Sequence, residues 1–442
     1  MLALTRLFDR RRPLSKGAAI GALAGLFAAG PLGCYSTNVP PIGTPEAGPA
    51  LASDEARLWK ETEKEEKELR AKAPLYDDPL LGTYLNGVAQ KVVPIEVRNQ
   101  GLLKVRVYTI KDPSLNAFTY PTGSVYVHTG LLARMENESE LATVLGHEIT
   151  HATNRHALEY QRSVRNKQIG FSIASLAGSL ILANAAGQRA ERGDWSGAYV
   201  LNEVGNIMVG LGLTLAFLAS VNGFGRELER EADEVGLERM AAAGYDPRQA
   251  PRVFEILKED HGDDRKMEVF FFGSHPRLDE RIQDMKELVA ARYGGAGEEK
   301  TVTTDTRDFQ MRTRVLVRDD AAQNLSLGRL GTAETEIKKV LDLTPNDPVA
   351  HYLYGQLYEK RAAEAKTPDE AQRLDDQALA RYEKAARLDD HYADPYKAMG
   401  LLGYKEGRKK EALAALKRYV ELSPNAPDVR QVKDYILELE AP

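Results

Sequence analysis

Hydrophobic and polar positions divide this chain into segments of different period. Leu80, Leu81, Tyr84, Leu85, Val88 and Val92 fall three and four residues apart and predict a helix from Asp77 to Val93. Ahead of it, residues 53–72 predict a charged helix whose few apolar contacts are Leu58, Trp59 and Leu69. The pattern then alternates through Val105–Ile110, which predicts a strand. Asn116–Tyr120 and Ser124–His128 predict two more strands, joined by a Pro121-Thr122-Gly123 turn. Next, Leu141, Val144, Leu145, Ile149 and Ala152 form the apolar stripe of another helix. Asn137 is placed to cap it, with Glu140 three residues on as capping-box partner.

Two stretches, Ile169–Ala186 and Tyr199–Val221, are apolar and rich in Gly, Ala and Ser, with a polar link between them. Each approaches the length of a bilayer span, but Asn184, Asn202, Glu203 and Asn206 interrupt them. The reading is a hairpin over 169–221 that lies on or dips into a membrane or plugs a neighbouring protein; the alternative is a pair of buried helices. Residues 293–318 read as a linker. Beyond it Gly328, Ala333, Leu343, Pro345 and Asn346 recur 79 residues later as Gly407, Ala412, Leu422, Pro424 and Asn425. Leu388 precedes Leu422 by 34 residues, the tetratricopeptide period. Residues 319–442 are therefore expected to stack three helix-turn-helix repeats and a terminal helix, Asp428–Glu440, into a solenoid with a concave binding surface.

With 442 residues, two or three domains are expected. A formal net charge of −6 argues against a nucleic-acid partner. The single cysteine, Cys34, excludes an intrachain disulfide or a cysteine-built metal site. It follows a basic segment (Arg6, Arg10, Arg11, Arg12, Lys16) and an apolar, small-residue run from Gly17 to Gly30. Residues 1–34 thus read as a signal peptide ending in a lipobox-like Pro31-Leu32-Gly33-Cys34, in which Cys34 would carry lipid. Pro31 and Leu32 depart from the usual pattern, and an uncleaved anchor or plain secretory signal is the alternative. Residues 35–52, rich in Pro, Gly and Thr, read as a flexible tether.

The chemistry concentrates on His147-Glu148-Ile149-Thr150-His151. Histidines at i and i+4 share one helix face, which suits two bonds to one zinc ion; Glu148 beside the first can take a proton from water on that ion. Catalytic zinc needs a third protein ligand and an open position. Downstream, the acidic run Arg226–Gly236 offers Glu229 and Asp233 at i and i+4. Glu229 can be the third ligand, with Asp233 orienting a ligand histidine; a solvated acidic face is the alternative.

His147-Glu148-x-x-His151 followed by Glu229-x-x-Ala232-Asp233 resembles the zinc metallopeptidase family of BepA, HtpX and the CAAX prenyl protease. Residues 54–292 share further features: Asp77-Asp78-Pro79, Leu115-Asn116-Ala117-Phe118, Pro121 to Leu132, Asn137-Glu138-x-Glu140-Leu141-Ala142, and Ser274-His275-Pro276 before Glu280-Arg281-Ile282. Thr122-Gly123 stands where that family usually has Gly-Gly. The resemblance implies an α+β fold: a mainly helical gluzincin-type protease domain with a small sheet over 53–292, then an all-α solenoid. It implies that the strand through Asn116 and Ala117 borders the cleft and receives substrate backbone. It also implies that a loop histidine, His275, can occupy the fourth zinc position as a self-inhibiting plug; packing at a helix start is the alternative.

The function expected is that of a lipid-anchored periplasmic zinc endopeptidase, with the outer membrane as its destination. Its substrates would be unfolded or misassembled proteins, and its repeats would dock clients or the outer-membrane assembly machinery. The rival expectation is a non-proteolytic assembly chaperone acting through those repeats.

Overall fold

The computed structural model describes residues 38–48, 50–166, 225–259, 278–294 and 306–441. The 169–221 stretch, Cys34 and His275 lie outside them. No helix among the described residues is long and apolar enough to cross a membrane.

Helix α1 (Ser53–Lys72) and helix α2 (Pro79–Val92) form where the apolar spacing predicts them. Asp78 caps α2 by accepting from the N–H groups of Leu80 and Leu81, and Pro79 occupies the first turn, where it needs no donor. A short helix, α3 (Ile95–Gln100), ends at Gly101 in the left-handed region. The sheet follows: β1 (Arg106–Ile110), β2 (Ala117–Thr119) and β3 (Ser124–His128), in the order β1-β3-β2. Strand β3 is central, parallel to β1 and antiparallel to β2, with Ala117 opposite Val127.

The two edges of this sheet differ. The outer side of β1 is closed by polar partners. The Asn86 side chain both donates to Val107 O and accepts from Val107 N–H, and Gln90 donates to Val105 O. Tyr76 N–H donates to Thr109 O, and Lys111 N–H to Pro74 O. On β2, the N–H of His128 donates to Asn116 O, and the N–H of Tyr120 to Ser124 O. Antiparallel alternation then turns the backbone groups of Ala117 and Thr119 away from β3, toward the outer edge.

Helix α4 (Thr129–Arg134) leaves β3 directly, and helix α5 (Glu138–Thr153) follows. Asn137 accepts from the N–H of Glu140, capping α5. The Glu140 carboxylate reaches back to the N–H of Glu136 and to the Asn137 amide, a variant of the capping box. Helix α5 is buried along its whole length, so its stripe pattern understates its burial. Helices α6 (His156–Asn166), α7 (Arg226–Ala242), α8 (Ala250–Glu259) and α9 (Leu278–Tyr293) complete this part.

Two expectations need correction. Within the supposed tether, residues 38–48 are fixed to the body: Val39 and Ile42 are buried. Ile42 N–H donates to Thr153 O at the end of α5, supplying one of the partners that helix C-termini lack, and Arg155 donates to Pro40 O. Within the supposed linker, helix α10 (Thr306–Ser326) starts at Thr306. Its Phe309, Leu316 and Val317 share one helix face and enter the same core as Leu141 and Leu145 of α5. A tether signal read from composition misses a face of this kind, because a few well-spaced apolar residues are enough to bury it.

Helix α10 opens an array of consecutive helices: α11 (Leu330–Leu343), α12 (Pro348–Glu364), α13 (Pro368–Leu388), α14 (Ala393–Lys405), α15 (Lys409–Leu422) and α16 (Val429–Glu440). Gly355 packs against the ring of Tyr382, and Gly400 against Leu416; a Cβ at either would clash with its neighbour. The array is joined to the sheet-bearing part by polar contacts as well. Lys339 of α11 donates to Ala133 O and Met135 O at the end of α4 and pairs with Glu136. Tyr76 donates to Asp319.

Candidate metal centre

Helix α5 supplies His147, Glu148 and His151, and α7 supplies Glu229 and Asp233. The two helices are held backbone to backbone. A Cβ on Gly146 would stand 2.7 Å from Gly236 O, and a Cβ on Gly236 would stand 2.8 Å from His147 N. Only glycine at both positions permits this crossing. It sets Glu229, about two helical turns before Gly236, against the imidazoles that follow Gly146.

The Nε2 atoms of His147 and His151 lie 2.9 Å apart. Glu229 Oε2 is 3.6 Å from the first, and Glu229 Oε1 is 3.7 Å from the second. All three residues are buried. A tetrahedral ion with ligand bonds of about 2.0 Å separates its donors by about 3.3 Å, so two imidazoles and one carboxylate at these distances fit a single metal ion. A second group of possible ligands, Asp389, Asp390 and His391, is exposed.

Around these donors the charges are paired. Asp233 Oδ1 lies 2.9 Å from His147 Nδ1, so the ring carries its proton there and leaves Nε2 free to ligate. Arg281 of α9 clasps Asp233 with two hydrogen bonds, 2.8 Å from Nε and 2.6 Å from Nη2, and reaches Glu229 at 3.5 Å. Burial alone would push the Asp233 carboxyl up, but Arg281 and His147 hold it well below the usual carboxylate range. For His147, burial disfavours the cation, and Asp233 more than offsets this, raising its pKa. Arg281 also stacks on Phe254, 4.8 Å from the ring centroid.

The roles of two residues escape sequence reading. Arg281 lies far along the chain, and only its arrival beside Asp233 gives it a task. His156, the first residue of α6, is buried with Nδ1 2.8 Å from His151 Nδ1. A signal for it is present in the chain: a histidine five residues beyond the second ligand.

Glu148 opens into an apolar pocket formed by Ala117, Leu131, Val144, Val253, Phe254 and Leu257, with His147 and Arg281 at its polar end. His151 faces a smaller pocket shared with Thr119. The edge strand β2 therefore passes both sides of the metal-ligand group. Asn116 is buried, its Oδ1 without a hydrogen-bond partner among the described residues. Its backbone carbonyl faces β3, so the outward edge belongs to Ala117 and Thr119.

Comparison with known proteins agrees with this geometry. Residues 81–289 match the model of peptidase family M48. The chain is 30% identical over 252 residues to the beta-barrel assembly-enhancing protease of Yersinia pestis, covering 56% of this chain and 46% of the relative. It is 30% identical over 226 residues to the protein of that name from Escherichia coli K12, covering 50% and 41%. It is 36% identical over 157 residues to mitochondrial metalloendopeptidase OMA1 of Arabidopsis thaliana, covering 36% and 26%. The match thus spans less than half the length of these relatives. Every residue of the buried His–His–Glu group lies inside the segment, residues 81–289, that is similar to peptidase family M48.

Proposed function

We propose that this chain is a zinc-dependent endopeptidase of the cell envelope, which cuts extended segments of unfolded or misassembled proteins. One observation carries the proposal: the His147–His151–Glu229 group and Glu148 lie beside the outward-facing edge of β2. Zinc bound by these three residues supplies a lowered pKa for water and polarises a carbonyl oxygen. The Glu148 carboxylate accepts the proton of the attacking water and passes it to the leaving amine nitrogen as the C–N bond breaks. Asp233 holds the Nδ1 proton of His147, and Arg281 keeps Asp233 ionised.

Substrate adds to β2 as a further strand, pairing with the N–H and C=O of Ala117. A folded protein offers no free backbone edge, so extended chains are selected by geometry. One side chain enters the apolar pocket lined by Leu131, Val144 and Phe254. The relatives named for enhancing beta-barrel assembly support outer-membrane proteins as clients. In this reading Cys34 carries the lipid anchor in the periplasm, residues 169–221 contact the membrane, and His275 closes the fourth zinc position at rest. The helices from Thr306 onward act as tetratricopeptide repeats that dock clients or assembly machinery.

The test is Glu148→Gln. It is expected to keep zinc, because Glu148 is not a ligand, and to lose casein cleavage by at least ~100-fold. Casein cleaved at the wild-type rate by a zinc-replete Glu148→Gln protein would overturn the mechanism.

A further inference from the structure

The two ligand imidazoles are supported differently. His147 meets a carboxylate directly. His151 meets another imidazole: its Nδ1 lies 2.8 Å from Nδ1 of His156, and both rings are buried. Two nitrogens this close share one hydrogen, so one Nδ1 donates and the other accepts. His151 Nε2 points at His147 and Glu229 and must be unprotonated to ligate. Its proton therefore sits on Nδ1, and His156 Nδ1 is the acceptor. A neutral His156 then carries its own proton on Nε2.

That proton faces Glu231 of α7, whose Oε2 is 3.7 Å from His156 Nε2, an ion–dipole contact too long to be a hydrogen bond. The other oxygen of Glu231 accepts from Asn154 Nδ2 at 2.5 Å. Asn154 cannot turn its amide round, because its Oδ1 accepts from Arg239 and from Thr153. The chain of contacts runs from Arg239 through Asn154, Glu231 and His156 to His151. Had His156 its proton on Nδ1, His151 would be driven to the Nε2–H form, which turns a hydrogen toward the metal.

We propose that His156 is a positioning residue that fixes the metal-binding tautomer of His151, and that Glu231 acts through it by fixing the proton of His156. The inference rests on the zinc-ligand reading of His147, His151 and Glu229. It adds a task for Glu231, two residues from the ligand Glu229 but not itself in contact with the donors' Nε2 atoms.

The experiment is zinc affinity of the full chain by competition with a chromophoric chelator, with the cobalt(II) absorption spectrum as a second readout. His156→Asn retains an acceptor near the Nδ1 position and is expected within about threefold of wild type. His156→Leu lacks it and is expected to bind zinc 10- to 100-fold more weakly, with an altered cobalt spectrum. Glu231→Gln keeps its oxygen on Asn154 and presents its NH2 to His156, which favours the wrong tautomer. It is expected to weaken zinc at least fivefold, and to have no effect when added to His156→Asn. This pair keeps the test alive if His156→Leu fails to fold. Wild-type zinc affinity in His156→Leu, or an equal effect of Glu231→Gln in both backgrounds, would overturn the proposal. Zinc retained at full affinity by His151→Ala would instead overturn the ligand reading beneath it.

Discussion

Two clusters of buried charge in this protein treat the same residue type in opposite ways. At the metal centre, Asp233 is buried between Arg281 and His147 and is held well below the ordinary carboxylate range. At the seam between α4 and the helical array, Asp320 is buried as deeply, and its pKa is pushed up to about 7. Asp320 of α10 faces Glu336 of α11, whose pKa is also raised well above normal. Asn324 donates to both, and the Asp112 carboxylate adds repulsion. Asp112 itself is held down at about 2 by the neighbouring His128 against the pull of its burial. Arg134 is the cation that acts on Glu336, and it does not outweigh the desolvation. Burial is therefore common to both clusters and decides nothing between them. What decides is whether a cation crosses the chain to meet the carboxylate.

The sharpest way to break this contrast is to remove the cation at the metal centre. Arg281→Leu leaves Asp233 buried without a full positive partner. The expected cost is about 3–5 kcal/mol in denaturant unfolding, because the remaining charge cannot be solvated. A loss under about 1 kcal/mol would mean that His147 alone satisfies Asp233.

The seam gives the opposite sign with pH. Asp320 has a folded pKa above its unfolded value near 3.8, so the folded state holds the extra proton between that value and about 7. Its stabilisation is complete below the unfolded value and is lost as pH rises through the folded one, at up to about 1.4 kcal/mol per pH unit. Asp233, lowered, behaves in reverse: its contribution is present above its unfolded value and lost as pH falls. Asp320→Asn is expected to flatten the decline between about pH 5 and 7. Unfolding midpoints across that range, for wild type and variant, check it. An unchanged slope would place the seam's proton on Glu336 rather than on Asp320.

A smaller effect tests how firmly the two parts are joined. Lys339→Ala removes a half-buried cap on Ala133 O and Met135 O and is expected to cost about 1.5 kcal/mol. If the seam acts as one core, the loss appears in a single unfolding transition. A separate early transition of the helical array would show that the shared apolar contacts at Phe309 and Val317 do not couple the parts.

Much of this architecture is legible in the order of residues. The His147–His151 spacing places two imidazoles on one helix face because helix geometry is local. Asn137 and Asp78 mark helix starts by the same logic, and alternation marks Val105–Ile110 as a strand. Glu229 and Asp233 stand out because an acidic i, i+4 pair needs a reason. The local signals fail where a few apolar residues make a face: Val39 and Ile42 in a stretch with a tether's composition, and Phe309, Leu316 and Val317 in one that reads partly as linker.

Periods, caps and the types of metal-ligating side chain follow from the amino-acid order, since each depends on residues within a turn or two of one another. Which charges meet is a property of the folded chain. Gly146 and Gly236 let two helices touch backbone to backbone, and that crossing brings Glu229 to the imidazoles. Arg281 reaches Asp233 from 48 residues away, while no comparable cation outweighs the burial of Asp320 among the described residues. A buried carboxylate's state is set by what lies within a few ångströms in space, and chain neighbours carry little of that information.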